Sequence, residues 1–280
     1  MAVLALVGFY GAVILIAFTV VAGASIVIPR SWVEGSGSIA LNGLALVVAG
    51  VVLNRALVRA GWSTWPKLGW SAERSTGRDF GYGVGIGVIM GVGAIAVAVG
   101  GGGARLELTG EPVTAYLARA VPFGVVLAAA ALGEELVFRG YPLVRLARAV
   151  GKVGATVVLA VVFAAFHVVN PEVSTVGLLN IGLASLVLSA AFFTPGGLPV
   201  AWGVHFGWNG ALGIMADAPV SGIRFEMPAL EFIAGEPRWI AGGAFGPEGG
   251  MATTVVMGVA LVWLVRRARA GRVVEGGGAA

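Results

Sequence analysis

Charge is scarce in this chain of 280 residues. Only 11% of its residues are Asp, Glu, Lys or Arg, against roughly 25% in an ordinary soluble domain. A water-facing surface needs more charge than that, so the composition excludes a typical soluble enzyme. It also excludes a disordered chain and a charged coiled coil. Cysteine is absent, which removes a disulfide framework, a thiolate metal site and a cysteine nucleophile. Histidine occurs only twice, at His167 and His205. The net charge of +4 and a pI near 10 would suit a nucleic-acid partner in a soluble protein. In a chain this apolar, basic residues set membrane topology instead, and no nucleic-acid partner is expected.

What the chain has in quantity is apolar sequence: 58% hydrophobic residues and a mean hydropathy of +0.94. A membrane-spanning helix needs about 20 mostly apolar residues. Uncharged or nearly uncharged stretches fall at 2–28, 35–54, 80–104, 113–133, 153–170, 174–193, 199–216 and 249–265. The break between the sixth and seventh is Thr194-Pro195-Gly196-Gly197-Leu198-Pro199, a turn by its proline and glycine content. The expected fold is therefore an all-α polytopic membrane protein with about eight transmembrane helices. The first stretch lacks a basic leader and is longer than the apolar core of a signal peptide, about 7–15 residues, so an uncleaved first span is expected. Trp62, Trp65, Trp70 and Lys67 read either as an interfacial segment or as a plain loop.

Basic residues orient these spans. Twelve of them (Arg55, Arg59, Lys67, Arg74, Arg78, Arg145, Arg148, Lys152, Arg266, Arg267, Arg269, Arg272) follow the second, fourth and eighth spans. Five (Arg30, Arg105, Arg119, Arg224, Arg238) fall on the opposite side. The asymmetry places both termini in the cytoplasm. Four regions result: N-terminal helices with a cytoplasmic interfacial segment (1–110), a core of four helices (111–216), an acidic outside loop (217–250), and a last span with a cytoplasmic tail (251–280). The glycines at 276–278 are expected to be disordered.

Three spans contain ionisable groups. The fourth ends in Gly133-Glu134-Glu135-Leu136-Val137-Phe138-Arg139, the fifth has Phe163-Ala164-Ala165-Phe166-His167, and the seventh has His205-Phe206-Gly207-Trp208-Asn209. One charge at mid-membrane costs about 2.5–3.5 kcal/mol, so the three in the fourth span need partners or water. If that span simply stops at Gly133, Glu134 is cytosolic and the two histidines have no explanation. Glu135 and Arg139 are four apart, share a helix face and can pair. Glu134 points about 100° away and is left as the available carboxylate, although the reverse assignment stays open. A turn at Val150-Gly151-Lys152 puts Glu134 (17 residues before Gly151) and His167 (16 after it) at similar heights in a helical hairpin. His205 and Asn209 share a face, and both can donate to a developing oxyanion. Phe163 shares a face with His167 and reads as packing.

Taken in this order, Glu134-Glu135-x-x-x-Arg139, Phe163-x-x-x-His167 and His205-x-x-x-Asn209 resemble the motifs of the CAAX-protease and bacteriocin-processing family of intramembrane proteases, also called the Abi family. The resemblance covers roughly 115–216. The loop ending in 242–250 is a less specific match to bacterial members. The resemblance implies hydrolysis of a peptide bond in a membrane protein or peptide, within the lipid bilayer and in the plasma membrane of a prokaryote. By the same resemblance Glu134, with His167, activates water. His205 and Asn209 stabilise the oxyanion, and Glu135, Arg139 and Phe163 support the site. Eukaryotic relatives cut prenylated C-terminal tails. The cofactor is left open: Glu134, His167 and His205 are a candidate zinc set with one open position, but there is no His-Glu-x-x-His and no fourth ligand. A glutamate-activated water without metal is favoured. Two other classes stay in view, a proton-coupled transporter and a non-catalytic scaffold or immunity membrane protein.

Overall fold

A computed structural model describes residues 2–28 and 36–276. Arg30, the side chain of Arg272 and the tail at 277–280 lie outside the described residues. The main helices are α1 (Ala2–Val27), α2 (Ser36–Arg59), α3 (Thr76–Gly100), α4 (Val113–Phe138), α5 (Tyr141–Phe166), α6 (Thr175–Phe192), α7 (Gly197–Gly210) and α8 (Met251–Gly276). A π-helical turn, Ala211–Met215, prolongs α7. Helix dominates, as expected, with one small exception. Strands β1 (Ala104–Leu108) and β2 (Leu230–Ala234) pair antiparallel, Leu106 opposite Phe232. They tie the segment after α3 to the loop before α8.

Among the described residues, six helical stretches are long and apolar enough to cross a membrane, against the eight expected. The run Val113–Phe166 counts once, as 54 residues, although it contains both α4 and α5. The 14-residue α7 is too short to count. An all-α membrane protein fits, and the number of crossings is not fixed by length alone.

Glycine sets the distance between α3 and α7. Gly83, Gly87 and Gly91 recur every four residues on α3, facing Gly203, Gly207 and Ala211 on α7. A Cβ on Gly83 would strike Val200 O, one on Gly87 would strike Val204 O, and one on Gly203 would strike Phe80 O. The two backbones are in direct contact, as small residues allow in membrane helices. The constant offset along both helices makes them parallel. A second close approach joins α2 to α4. A Cβ on Gly43 would lie 2.9 Å from Ala130 Cα, and one on Gly133 would lie 2.9 Å from Val47 N.

The chain breaks after α4. Asn54, buried on α2, donates to Leu136 O at 3.1 Å and accepts from Tyr141 N at 3.1 Å. A Cβ on Gly140 would strike Leu136 O, so only glycine fits. The first arm of the hairpin is thus divided at 139–140. The reversal itself is at Gly151, with φ 77° and ψ 164°, as expected. Just past it, Lys152 Nζ sits 4.7 Å from the Phe193 ring. The return arm brings Phe163 and Phe166 against Phe138, with ring centroids 4.9 and 5.7 Å apart. The matched heights therefore hold. Pro66–Leu68 forms a short 3-10 turn with Leu68 buried, while Trp62 and Trp65 are exposed.

The α3–α7 contact gives a direct test. Gly87→Val forces the backbones apart and costs at least about 1–3 kcal/mol, so its melting temperature in detergent drops and folded yield falls. Gly85→Ala, where no atom lies within 4 Å of the added Cβ, leaves melting unchanged. Equal melting of the two variants would refute the contact.

Candidate functional site

The expected site residues converge. Glu134 comes from α4, His167 from the end of α5, and His205 and Asn209 from α7. All four line one cavity of about 460 Å³. Its walls are mostly aliphatic, including Val13, Ile39, Leu46, Leu127, Val137 and Val204. Trp202 Nε1 donates to Ala128 O at 2.8 Å, which fastens α7 to α4 just outside the Glu134 turn.

Below the cavity lies a buried polar cluster. Glu135 and Arg139 are both fully buried. Arg139 Nη1 donates to Glu135 Oε1 at 3.1 Å, the pair read from the four-residue spacing. Arg139 Nη2 also donates to Ser185 Oγ at 2.9 Å and Ser185 O at 3.2 Å, so α6 shares in the pairing. Ser185 is not part of the sequence reading, because nothing in a serine on an apolar helix marks its partner. The guanidinium lies 4.8 Å from the Phe163 ring centroid. Phe163 is thus packing, as expected, and also the aromatic floor for the cation.

One contact changes the expected division of labour. His205 Nδ1 lies 2.9 Å from the same Glu135 Oε1. A carboxylate only accepts, so Nδ1 carries the proton and Nε2 faces the cavity. Glu135 therefore holds both Arg139 and His205. Nε2 of His205 stands 3.9 Å from Glu134 Oε2, which is buried with no hydrogen-bond partner. Glu134 thus has an oxygen at the cavity that no protein group bonds. Among the described residues no hydrogen bond joins it to His167.

His167 sits at the C-cap of α5, φ −99°, and not inside a helix as expected. Pro171 lies four residues on, where its ring would clash with the His167 carbonyl of a continued helix and offer it no N–H. Nδ1 of His167 lies 2.8 Å from Phe163 O. A carbonyl only accepts, so this nitrogen also donates, and in the neutral ring Nε2 is the acceptor. Asn209 is half-buried on the cavity wall, one turn beyond His205.

The zinc set implied by the resemblance is not gathered. Among the described residues, no three His, Asp or Glu side chains stand close enough to hold a metal ion. Each histidine has its Nδ1 bonded, to Glu135 or to a carbonyl, and Glu134 Oε2 stands 3.9 Å from His205 Nε2, wider than the roughly 3.4 Å between two tetrahedral ligands of one zinc. The donors do not fit zinc as they stand.

Sequence reasoning also passed over the loop. Val220, Ser221, Ile223, Phe225 and Glu248 line the same cavity, although 217–250 reads by sequence as an acidic outside loop with no site residue in it. At its start Asp217 accepts from Met227 N at 2.8 Å. Burial pushes its carboxyl above the ordinary range, opposed by that amide and by Arg224.

The geometry separates the two adjacent glutamates by experiment. Glu135→Ala leaves Arg139 and His205 without their common acceptor, and breaking a buried pair costs about 3–5 kcal/mol. Arg139→Ala takes away the cation that faces Glu135 and leaves the carboxylate with His205 alone. Both are expected to lower melting temperature and yield in detergent. Glu134→Ala removes a carboxylate that has no hydrogen-bond partner on Oε2 and is expected to melt at or above the wild-type temperature. A Glu134→Ala protein less stable than Glu135→Ala would reverse the assignment.

Residues 116–211 match the family model of the type II CAAX prenyl endopeptidase Rce1-like proteins. The match contains all seven residues singled out by sequence, in or capping α4, α5 and α7, and it bears out the resemblance read from the motifs. No curated protein and no solved structure gives a match to the chain.

Proposed function

We propose that this chain, whose segment 116–211 matches the Rce1-like CAAX peptidase model, is an endopeptidase that cuts a membrane-associated protein or peptide at an apolar stretch, using a water molecule activated by Glu134. The observation that carries this reading is the shared cavity. An unpartnered carboxylate oxygen, two histidine Nε2 atoms and an asparagine amide are brought to one aliphatic-walled space from three helices.

In this mechanism the peptide lies along the cavity with its carbonyl toward α7. Glu134 takes a proton from water as the oxygen attacks the carbonyl carbon. His167, with Nδ1 fixed on Phe163 O, presents Nε2 as the second acceptor that orients the water. The tetrahedral oxyanion is met by the Asn209 amide and by His205 in its doubly protonated form, which donates from Nε2. Glu135 holds the other ring nitrogen and balances that charge, and Arg139 holds Glu135 in place. Glu134 then passes its proton to the leaving amine. The low dielectric around these groups strengthens each interaction relative to water.

Topology follows the same proposal. Lys67, Arg74, Lys152, Arg267 and Arg269 belong to the end of the bundle where α3 and α7 begin, and the β1–β2 sheet and the 217–250 loop form the other end. Assigning the basic end to the cytoplasm gives eight crossings, α1 to α8, with both termini inside and the loop outside. Reporter fusions after Arg74 are expected to read cytoplasmic and fusions within 225–240 outside. A cytoplasmic reading for 225–240 would remove the eight-crossing arrangement.

The activity itself is tested by comparing membrane peptides from cells carrying the wild type and Glu134→Gln. Cleavage products present with the first and absent with the second are expected, because the amide cannot act as a base. With a substrate so identified, purified protein is expected to keep cutting after exhaustive chelation. Loss of cutting on chelation, restored by zinc, would overturn the metal-free chemistry, and identical peptide sets would overturn the protease.

A further inference from the structure

Glu248 lies outside the matched family segment, in the loop, yet it faces the same cavity as Glu134. It is buried, and a buried carboxylate is costly unless its oxygens are well bonded. Three donors meet it. Trp208 Nε1 donates to Oε1 at 3.0 Å. The Ser221 amide and the Ser221 hydroxyl, the latter at 2.9 Å, donate to Oε2. Each contact reaches a neighbour of the proposed chemistry. Trp208 precedes Asn209. Ser221 O accepts from Asn170 at 3.2 Å, three residues past His167. The main chain of Glu248 and Gly250 accepts from Asn180 of α6 at 2.7 and 2.9 Å.

Ser221 has φ 50°, in the left-handed region that a serine adopts only at a cost. Its amide points at Glu248 from that conformation. At the next position a Cβ on Gly222 would strike Pro171 O, so the loop is pressed onto the segment just after His167.

We infer that Glu248 is a positioning residue: its carboxylate clamps the 217–250 loop onto Trp208 as the roof of the cavity, and so sets Asn209 and His167 against the substrate. The inference rests on the proteolytic reading for its effect on rate, but the clamp itself can be measured without activity. Glu248 is not assigned any proton transfer, because both of its oxygens are taken.

The test uses the full chain in detergent with three variants: Glu248→Gln, Trp208→Phe and Ser221→Ala. Glu248→Gln keeps one acceptor oxygen but cannot receive both Trp208 and the Ser221 amide. Trp208→Phe keeps the ring and removes only the indole N–H. Ser221→Ala keeps the amide and is the mildest. Hydrogen exchange of the backbone over 217–225 is expected to quicken in Glu248→Gln, less in Trp208→Phe, and least in Ser221→Ala. For a substrate cut in a Glu134-dependent way, kcat is expected to fall about tenfold or more in Glu248→Gln, at temperatures where the protein is folded. The fall in the Glu248→Gln, Trp208→Phe double variant is expected to be smaller than the product of the single effects, since both break one bond. Unchanged exchange over 217–225 in Glu248→Gln would overturn the clamp, whatever the activity. Faster exchange with kcat within about twofold of wild type would overturn the positioning role. A wild type that cuts nothing would overturn the protease reading and leave the clamp to be decided by exchange alone.

Discussion

One carboxylate oxygen, Glu135 Oε1, accepts from both Arg139 and His205, and the interior is arranged around it. Three ionisable groups in a low-dielectric bundle are costly apart and tolerable together. The pairing fixes the end of α4, the ring orientation of His205 on α7 and, through Ser185, the rotation of α6. Phe163 closes the cluster from α5 by stacking under the guanidinium. Four helices are thus keyed to one charge-compensated point. The neighbouring Glu134 is left with a buried oxygen that no protein group satisfies. Adjacent residues of one type, a helix step apart, thus stand in different surroundings, and the proposed chemistry uses that difference.

The cluster forms only because α7 is held at the right depth and rotation. That is the work of the glycine seam with α3, where an added Cβ at any of four positions would meet a backbone carbonyl. Apolar burial gives little drive between helices in lipid, so close packing of small residues has to supply it. A π turn begins two residues after Asn209, a distortion frequent near functional sites. The loop roofing the cavity is anchored from the same helix through Trp208.

The sequence was most legible where spacing carries physics. The four-residue separations of Glu135 from Arg139 and of His205 from Asn209 predict shared faces, and the structure has them. The turn at Gly151 and the break at 194–197 could be read from glycine and proline. Less legible was anything decided across helices. A four-residue spacing says Glu135 can reach Arg139, but not that His205 arrives from 70 residues away to share the same oxygen. The α3–α7 seam was present as Gly83-x-x-x-Gly87-x-x-x-Gly91 and could have been found, but in a chain with 46 glycines the repeat does not stand out. Glu248 was hidden in a loop whose acidity suggested solvent. Only the fold shows its carboxylate turned inward.

The central claim is that Glu134 activates water and does not itself attack the peptide. It is tested most directly by a single turnover in water labelled with heavy oxygen, with enzyme in excess over substrate. General-base catalysis predicts that the new C-terminal carboxylate of the product carries the label from the first turnover and that Glu134 carries none. Label found in the Glu134 carboxylate, with the first product unlabelled, would show a covalent acyl intermediate on Glu134 and contradict the account.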